Sequence, residues 1–482
     1  MSLDYNNIIN VAEKAKTIKI FKNTGGKMIL KSDIKSHLCI SKFINKNYLE
    51  KEKVEYKNLF WGCINSFVVK YRPNEVLYQM FKEYSSSVGN VLSNKGNLDS
   101  FENALKKVLK TKFRWFEFYS NRFLFLFIVF SFCAFKDKHR ARVILREIDL
   151  ITKNKFSKEL EEIYNVLYAE GTLSDKDQKY QEVMDKFRQN IYFFDKKLNK
   201  IFIAGNMSSG KSTLINTIIG KKISKTQNDT CTAKIHFIYN KAFEDKFNYE
   251  WDGFLNLNAD QDALMNDDEK NTTLQIGVAT NFKIISEGKK RVCLIDSPGV
   301  NSALNTDHKQ MTMENMQSET FNSFLYVLNA ENIGTNDDRI FLKNVSENVD
   351  HNKIYFVINK LDKFKSGEDS VESTLNTIKE ELIKVGFESP IVFPISAYAG
   401  YLGKKIILGE ELDEDKKDEV MLLNKKLKKE ENRLSKFAPI EYDNGKEIEK
   451  LTRQYPSVDV AGIELFVNSG FQILEEIILN GE

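Results

Sequence analysis

Residues 201–220, IFIAGNMSSGKSTLINTIIG, decide the fold. Apolar residues 201–204 predict a buried strand, and residues 213–219 predict a helix. Between them the chain fits the pattern GxxxxGK[ST], in which a glycine-rich backbone turns its N–H groups toward phosphate oxygens and the helix start adds a positive dipole end. This order of strand, loop and helix predicts a nucleotide-binding α/β domain. The predicted phosphate-binding residues are Gly205, Asn206, Met207, Ser208, Ser209, Gly210, Lys211, Ser212 and Thr213.

A second motif, LIDSPG at residues 294–299, ends another apolar run. In P-loop proteins an aspartate at the end of such a strand holds Mg²⁺, and a following glycine lets its N–H approach the γ-phosphate. Asp296 and Gly299 are predicted in these roles. Lys211 is then expected to contact the β- and γ-phosphates, and the Ser212 hydroxyl to bind the same Mg²⁺.

The sequence NKLD at residues 359–362 indicates the base. Guanine offers adjacent N1–H and N2–H donors that one carboxylate accepts together. Adenine lacks this pair, so Asp362 predicts a preference for GTP over ATP. The stem of Lys360 is expected to lie over the base, and Asn359 is expected to tie this loop to the phosphate-binding loop.

Two further loops complete the predicted site. Ser396 and Ala397 follow a fifth apolar run and are predicted to offer a backbone N–H to guanine O6. Between the first two motifs a threonine should close on Mg²⁺ and the γ-phosphate. Thr232 is preferred for this role, with Thr230 as the alternative, because either hydroxyl is a hard oxygen ligand. The predicted metal ligands are Ser212, Thr232 and Asp296.

Composition and charge restrict the class of protein. Of 482 residues, 42% are hydrophobic, which is sufficient for a large core. Lysine and arginine number 71 against 68 acidic residues, a net charge of +3, so no nucleic-acid partner is expected. Five cysteines without a CxxC pair are typical of reduced thiols in a cytoplasmic protein.

Two regions are predicted along the chain. Residues 1–195 are expected to be helical, as a bundle or neck. Residues 196–482 predict an α/β P-loop GTPase domain with a mostly parallel sheet and helices on both faces, because short apolar runs alternate with helical stretches. A charged helical insertion with a solvated face is expected at about 405–455. The predicted strands are Ile201–Ala204, Val292–Ile295, Phe324–Leu328, Ile354–Ile358 and Ile391–Pro394.

One apolar block lies in the first region, at Phe123–Phe135 (FLFLFIVFSFCAF). The block is shorter than the roughly 20 residues that a membrane-spanning helix needs. It therefore predicts a buried core helix, with membrane contact or a partner surface as the alternative.

Together these motifs resemble those of the bacterial dynamin-like proteins. The resemblance covers about residues 195–480 and depends on six segments: GNMSSGKSTLINTIIG, the CTA threonine, LIDSPGVNS, LYVLNAENIGTNDDRIFL, FVINKLDKF and ISAYAG. It implies a Mg²⁺-dependent dynamin-type GTPase that is activated when two GTPase domains pair across the nucleotide. It also implies action on membranes, so the expected location is the cytoplasm, including the inner face of the cell membrane.

The resemblance also implies a catalytic set. The family's P-loop serine corresponds to Ser208, where it positions the attacking water and a charge-neutralising monovalent cation. Lys211 and Thr232 complete the expected set. Val300 occupies the position at which small signalling GTPases have a water-orienting glutamine, so hydrolysis must depend on another group. Met207 stands where eukaryotic dynamins often have a glutamine, which weakens the assignment of Ser208.

Two interpretations of function remain open from sequence. The first is a self-assembling GTPase, which the intact motif residues Lys211, Ser212, Thr232 and Asp296 favour. The second is a GTP-binding regulatory or scaffolding subunit with little turnover that assembles with a second dynamin-like chain. In the family, helices after the GTPase domain pair with N-terminal helices to form a stalk, and their absence before Glu482 favours the second interpretation.

Overall fold

The computed structural model describes most of the chain in segments. These are residues 54–71, 78, 81–82, 85, 101–110, 120–168, 178–206, 208–224, 234–244, 248–251, 255–259, 275–285, 291–298, 312–317, 319–331, 336–364 and 370–480. The chain divides into two compact units. The first comprises Met1–Lys196, Ala242–Tyr249 and Leu255–Leu257, and the second comprises Lys197–Lys241, Glu250–Phe254 and Asn258–Glu482.

The first unit is helical over its described N-terminal part. Its helices are α1 Val54–Tyr71, α2 Phe101–Leu109, α3 Ser120–Cys133, α4 Lys138–Thr152, α5 Ser157–Tyr168 and α6 Gln178–Asp195. Helix α3 contains most of the apolar block, and all of residues 123–133 are buried. Phe125 packs edge-on against Phe60 and Phe67 of α1, with ring centroids 5.9 Å apart in both pairs. The prediction of a buried core helix is therefore confirmed. A helix that is apolar around its whole circumference is expected to be packed against other residues on every side.

A mixed sheet organises the described part of the second unit, to which seven of the nine described strands belong entirely. The strands are β1 Asn199–Gly205, β2 Ile235–Asn240, β3 Asn248–Trp251, β4 Leu255–Ala259, β5 Gln275–Thr280, β6 Val292–Asp296, β7 Ser323–Asn329, β8 Ile354–Asn359 and β9 Ile391–Pro394. Their order is β4-β3-β5-β2-β6-β1-β7-β8-β9. Strands β6, β1, β7, β8 and β9 are parallel, whereas β2 is antiparallel to β6 and parallel to β5. The predicted α/β fold is confirmed, and each predicted strand lies within one of the five parallel strands.

Helices cover both faces of this sheet. They are α7 Lys211–Ile219, α8 Asn336–Asn348, α9 Val371–Val385, α10 Ala397–Ile407, α11 Glu414–Leu427, α12 Asn444–Gln454, α13 Val460–Asn468 and α14 Phe471–Asn480. Successive side chains of a strand point to opposite faces. Accordingly, Ile203 of β1 joins the core cluster that contains residues of α7, α10, α13 and α14. On the other face, Tyr326 of β7 stacks on Phe341 of α8, with ring centroids 5.6 Å apart.

The parallel strands bring the sequence motifs to one edge of the sheet. Register pairs Ile203 of β1 with Asp296 of β6, and Asn329 of β7 with Asn359 of β8. The carboxyl ends of parallel strands meet at the same edge, where ligands of open α/β sheets bind. The loops after β1, β6, β8 and β9 therefore converge there.

Candidate active site

Two glycines allow the loop between β1 and α7 to adopt its shape. A Cβ on Gly205 would lie 2.5 Å from the carbonyl oxygen of Val327. This distance is too short for two non-bonded atoms, and the oxygen belongs to the backbone of β7 and cannot move aside. Gly210 precedes α7 with φ +87°, and a Cβ there would lie 2.2 Å from Nδ2 of Asn359. Both positions therefore require glycine, the first for close approach and the second also for its left-handed conformation.

The two serines of this loop have different environments. Ser208 has φ +61° and is exposed. Ser209 is fully buried, and its Oγ has no hydrogen-bond partner among the described residues. A buried hydroxyl without a partner is costly, and phosphate oxygens held by this loop would accept from it. Met207 lies outside the described residues.

Lys211 and Asp296 form a buried ion pair between the first two motifs. Lys211, the first residue of α7, is 7% exposed, and Asp296 at the end of β6 is fully buried. The Lys211 Nζ contacts Asp296 Oδ1, and the Ser224 hydroxyl donates to Oδ2 over 3.2 Å. Ser297 fixes the strand end, because its Oγ donates to the carbonyl of Ile203 over 2.9 Å. Lys211, which was predicted to bind phosphate, and Asp296, which was predicted to bind the metal, are thus brought together.

Asn216 was not predicted from the sequence, and it fixes the position of Ser224 by hydrogen bonds to the backbone. Its Oδ1 accepts from the backbone N–H groups of Ile223 and Ser224, each over 2.7 Å. Its Nδ2 donates to the Ser224 carbonyl over 2.8 Å. One buried side chain on α7 therefore holds the chain a few residues before the threonine that was predicted to close on Mg²⁺. Thr232 and its alternative Thr230 lie outside the described residues, as do Gly299 and Val300.

Asn359 connects three loops of the site. Its Nδ2 donates to the carbonyl of Ser209 over 2.9 Å, and its Oδ1 accepts from the N–H of Ala397 over 2.9 Å. The side chain is 3% exposed. The predicted tie to the phosphate-binding loop is present, and the second bond to the loop after β9 is an addition.

Lys360 and Asp362 occupy the loop after β8. Lys360 has φ +67° and is followed by a short 3₁₀ turn, Leu361–Lys363. Partial burial and the neighbouring charge of Lys363 lower the pKa of Lys360. The loop is also held from outside, since Lys363 Nζ lies 3.5 Å from Glu331 Oε2 beyond the end of β7.

The structure corrects one detail of the loop after β9. The N–H of Ser396 donates to the Ser469 carbonyl over 3.0 Å, and the N–H of Ala397 donates to Asn359. Neither N–H is therefore available to guanine O6 in this arrangement, contrary to prediction. Ser396 instead begins α10, where its Oγ accepts from the N–H of Ala399 over 3.1 Å.

The donors at this edge fit Mg²⁺ bound together with phosphates. Ser212 lies in the first turn of α7 and Asp296 ends β6, so a hydroxyl and a carboxylate oxygen are placed at neighbouring strand ends. Mg²⁺ prefers such hard oxygens and is usually bound by one or two carboxylates plus substrate phosphates. Within the described segments no group of three or more histidine, cysteine or acidic side chains could hold a metal by itself. Asp296 and Ser212 suit a metal whose remaining ligands come from phosphates.

A phosphate-binding loop, a strand-ending aspartate and an NKLD loop at one sheet edge define a P-loop GTPase domain. Among the families of this class, the sequence model of the dynamin family matches residues 201–361. Residues 201–361 thus resemble the GTPase domain of the dynamin family, in agreement with the resemblance that the motifs indicated over about residues 195–480. Dynamin-like protein A of Bacillus subtilis (strain 168) is 24% identical over 139 residues. That alignment spans 28% of this chain but only 11% of the relative.

Solved structures of GTP-binding proteins superpose only in part. Toc33 from Arabidopsis thaliana aligns over 42% of this chain and 69% of its own, with 14% identity and a TM-score of 0.27. Era in complex with MgGDPNP and a 16S ribosomal RNA fragment aligns over 42% of this chain and 51% of its own, with 18% identity and a TM-score of 0.26. TM-scores this low support no argument about function.

None of the described helices is both long and apolar enough to cross a lipid bilayer.

Proposed function

We propose that this chain binds GTP with Mg²⁺ at the carboxyl edge of its sheet and hydrolyses the β–γ phosphoanhydride bond. The observation that carries the proposal is the Lys211–Asp296 pair, with the NKLD loop tied to the same phosphate-binding loop by Asn359. In this proposal Lys211 supplies a cation to the phosphates, Asp296 supplies a carboxylate to the metal, and Asp362 reads the base.

Each residue has a distinct part in this proposal. Lys211 exchanges Asp296 for the β- and γ-phosphates when nucleotide binds, and Asp296 and Ser212 become available to the metal. Bound Mg²⁺ neutralises charge that develops on the phosphate oxygens. Asp362 accepts from guanine N1–H and N2–H, and the stem of Lys360 covers the base.

Water activation is assigned to Ser208, supported by its exposure and by the dynamin resemblance. Small GTPases orient the water with a glutamine, which this chain lacks at Val300. An exposed P-loop serine suits a water-positioning group that a second GTPase domain covers. A monovalent cation beside Ser208 would supply charge to the same step, and Thr232 would order the opposite side.

The proposal predicts GTP turnover that depends on protein concentration. If two domains pair across the nucleotide, the rate per molecule should rise with concentration and then level off. Ser208→Ala should keep GTP affinity nearly unchanged and lower kcat, because its contact forms only in the transition state. Ser373→Ala removes an exposed serine of α9 and serves as the matched control, with unchanged turnover. Wild-type turnover by Ser208→Ala would refute the assigned role.

The same measurement separates the two interpretations of function. GTP binding without appreciable turnover at any concentration would favour the regulatory subunit, and turnover restored by a second dynamin-like chain would identify it. A further rise in turnover with liposomes would support peripheral membrane association, for which the dynamin resemblance is the present support. Flotation of the protein with vesicles provides the direct test.

A further inference from the structure

Helix α11 contacts both loops that were predicted to receive the guanine base. The Lys426 Nζ donates to the backbone carbonyl of Asp362 over 2.5 Å and also to that of Phe364. Seven residues earlier, Glu419 accepts a hydrogen bond from the hydroxyl of Tyr398, which lies in the first turn of α10. The charged segment was expected to be solvated, yet two of its charges are directed at the guanine loops.

The spacing of Glu419 and Lys426 places them on one face of α11. Seven residues are about two turns, so the two side chains emerge about 10.5 Å apart along the helix axis. Burial raises the pKa of Tyr398, and the hydrogen bond to Glu419 raises it further, so the phenol remains protonated and donates. The negative charges of acidic neighbours, Asp362 among them, also raise the pKa of Tyr398.

A different set of residues fixes α11 to the rest of the second unit. Val420, Asn424 and Leu427 are buried, and Asn424 Nδ2 donates to the Ala461 carbonyl of α13 over 3.3 Å. Beyond the helix end, Lys428 Nζ lies 2.7 Å from Glu464 Oε2 of α13. Helix α11 is therefore held on α13 and reaches from this support to the two loops.

The Lys426 contacts suit the position they occupy. Asp362 lies within a 3₁₀ turn and Phe364 directly follows it, where carbonyl oxygens lack partners inside the turn. A lysine at such carbonyls interacts favourably with the negative end of the turn and makes charge-assisted hydrogen bonds. Since the side chain of Asp362 must meet two donors of the base at once, small movements of its backbone should weaken that match more than they weaken phosphate binding.

We infer that Lys426 and Glu419 are positioning residues that hold the NKLD loop and the first turn of α10 from α11 and thereby set base selectivity and the rate of nucleotide release. This inference rests on the proposed binding of GTP. It assigns to the charged segment a function that its composition did not suggest.

The test compares Lys426→Met with Lys426→Arg and with Lys425→Met. Methionine keeps the length of the stem but removes the donor, arginine restores a cationic donor, and Lys425 is an exposed lysine on the same helix. We expect Lys426→Met to release a fluorescent GDP analogue about five- to tenfold faster, as loss of a charge-assisted bond predicts. Lys426→Arg should recover most of the wild-type rate, and Lys425→Met should not differ from wild type.

Base selectivity distinguishes positioning from general support of the fold. Inosine triphosphate lacks the 2-amino donor, so its affinity depends less on the alignment of Asp362. Lys426→Met should therefore lose more affinity for GTP than for ITP. Equal losses for both nucleotides, or no change in release rate, would overturn the inference.

A second variant keeps the inference testable if Lys426→Met fails to fold. Tyr398→Phe removes the contact to Glu419 from the other side and should also narrow the difference between GTP and ITP. Wild-type protein that binds neither nucleotide would instead refute the proposed function itself. Wild-type binding with unaltered selectivity in both Lys426→Met and Tyr398→Phe would refute only the role of α11.

Discussion

Replacing Asn359 with alanine is expected to weaken both the fold of the second unit and its grip on nucleotide. The side chain is 3% exposed and makes two hydrogen bonds of 2.9 Å, to the carbonyl of Ser209 and from the N–H of Ala397. Alanine removes both bonds and leaves two buried backbone groups without these partners. The loops after β1, β8 and β9 then lose their common connection.

The magnitude follows from those two groups. A buried polar group deprived of its partner costs about 1–3 kcal/mol, so the free energy of unfolding should fall by about 2–6 kcal/mol. Affinity for GDP should fall at least tenfold, which corresponds to about 1.4 kcal/mol, because the phosphate and base loops no longer hold each other in place. Urea denaturation and titration with a fluorescent GDP analogue measure the two effects.

Two further variants define the controls for Asn359→Ala. Asn344→Ala removes an asparagine of α8 whose Nδ2 donates to the Ile340 carbonyl at an exposed position, and it should change the free energy of unfolding by less than about 0.5 kcal/mol. Asn359→Asp keeps the acceptor for the Ala397 N–H but loses the donor to Ser209, so its defect should centre on the phosphate-binding loop. A change below about 0.5 kcal/mol in Asn359→Ala, with unchanged GDP affinity, would refute the connecting role.

Asp362→Asn should weaken GTP binding by about 1–3 kcal/mol and strengthen xanthosine triphosphate binding, since the amide matches a 2-oxo base; equal wild-type affinities for ATP and GTP would contradict the guanine assignment. Lys404 and Glu475 form a buried ion pair. Glu475→Gln should lower the free energy of unfolding by about 3–5 kcal/mol in urea titrations, because it leaves the buried charge of Lys404 without its counter-charge. That lysine also donates to the Ile218 carbonyl over 3.0 Å. The double change Lys404→Met with Glu475→Leu should cost less than Glu475→Gln alone, and a larger cost would show that the charges are not the source of the effect.

The sequence predicted the parallel half of the sheet but not its other half. The five parallel strands are buried on both faces. Each therefore consists of a continuous apolar run that can be recognised in the sequence. Strand β2 lies next to β6 in the opposite direction, and nothing in its residues Ile235–Asn240 specifies that direction. Strand direction is set by connections and neighbours, which a local pattern does not contain.

The motif residues were predictable because their ligand restricts residue type. A phosphate-binding loop needs Gly205 and Gly210 for backbone approach and conformation, and an ion pair needs opposite charges such as Lys211 and Asp296. Each requirement fixes a residue type at a definite position relative to a strand, and such a position can be recognised in the sequence.

The residues that sequence reasoning missed share a different kind of partner. Lys426 donates to the carbonyls of Asp362 and Phe364, Lys404 donates to that of Ile218, and Asn216 binds the backbone around Ser224. Every residue has a carbonyl, so a side chain that binds backbone places no demand on the identity of its partner. In such a contact only one of the two partners has a distinctive residue type. That partner is a single polar residue in a helix, which does not stand out in the sequence. The base-reading loop shows the consequence most clearly: its NKLD letters indicate what it binds, whereas the lysine that holds its backbone, 64 residues away, matches no motif.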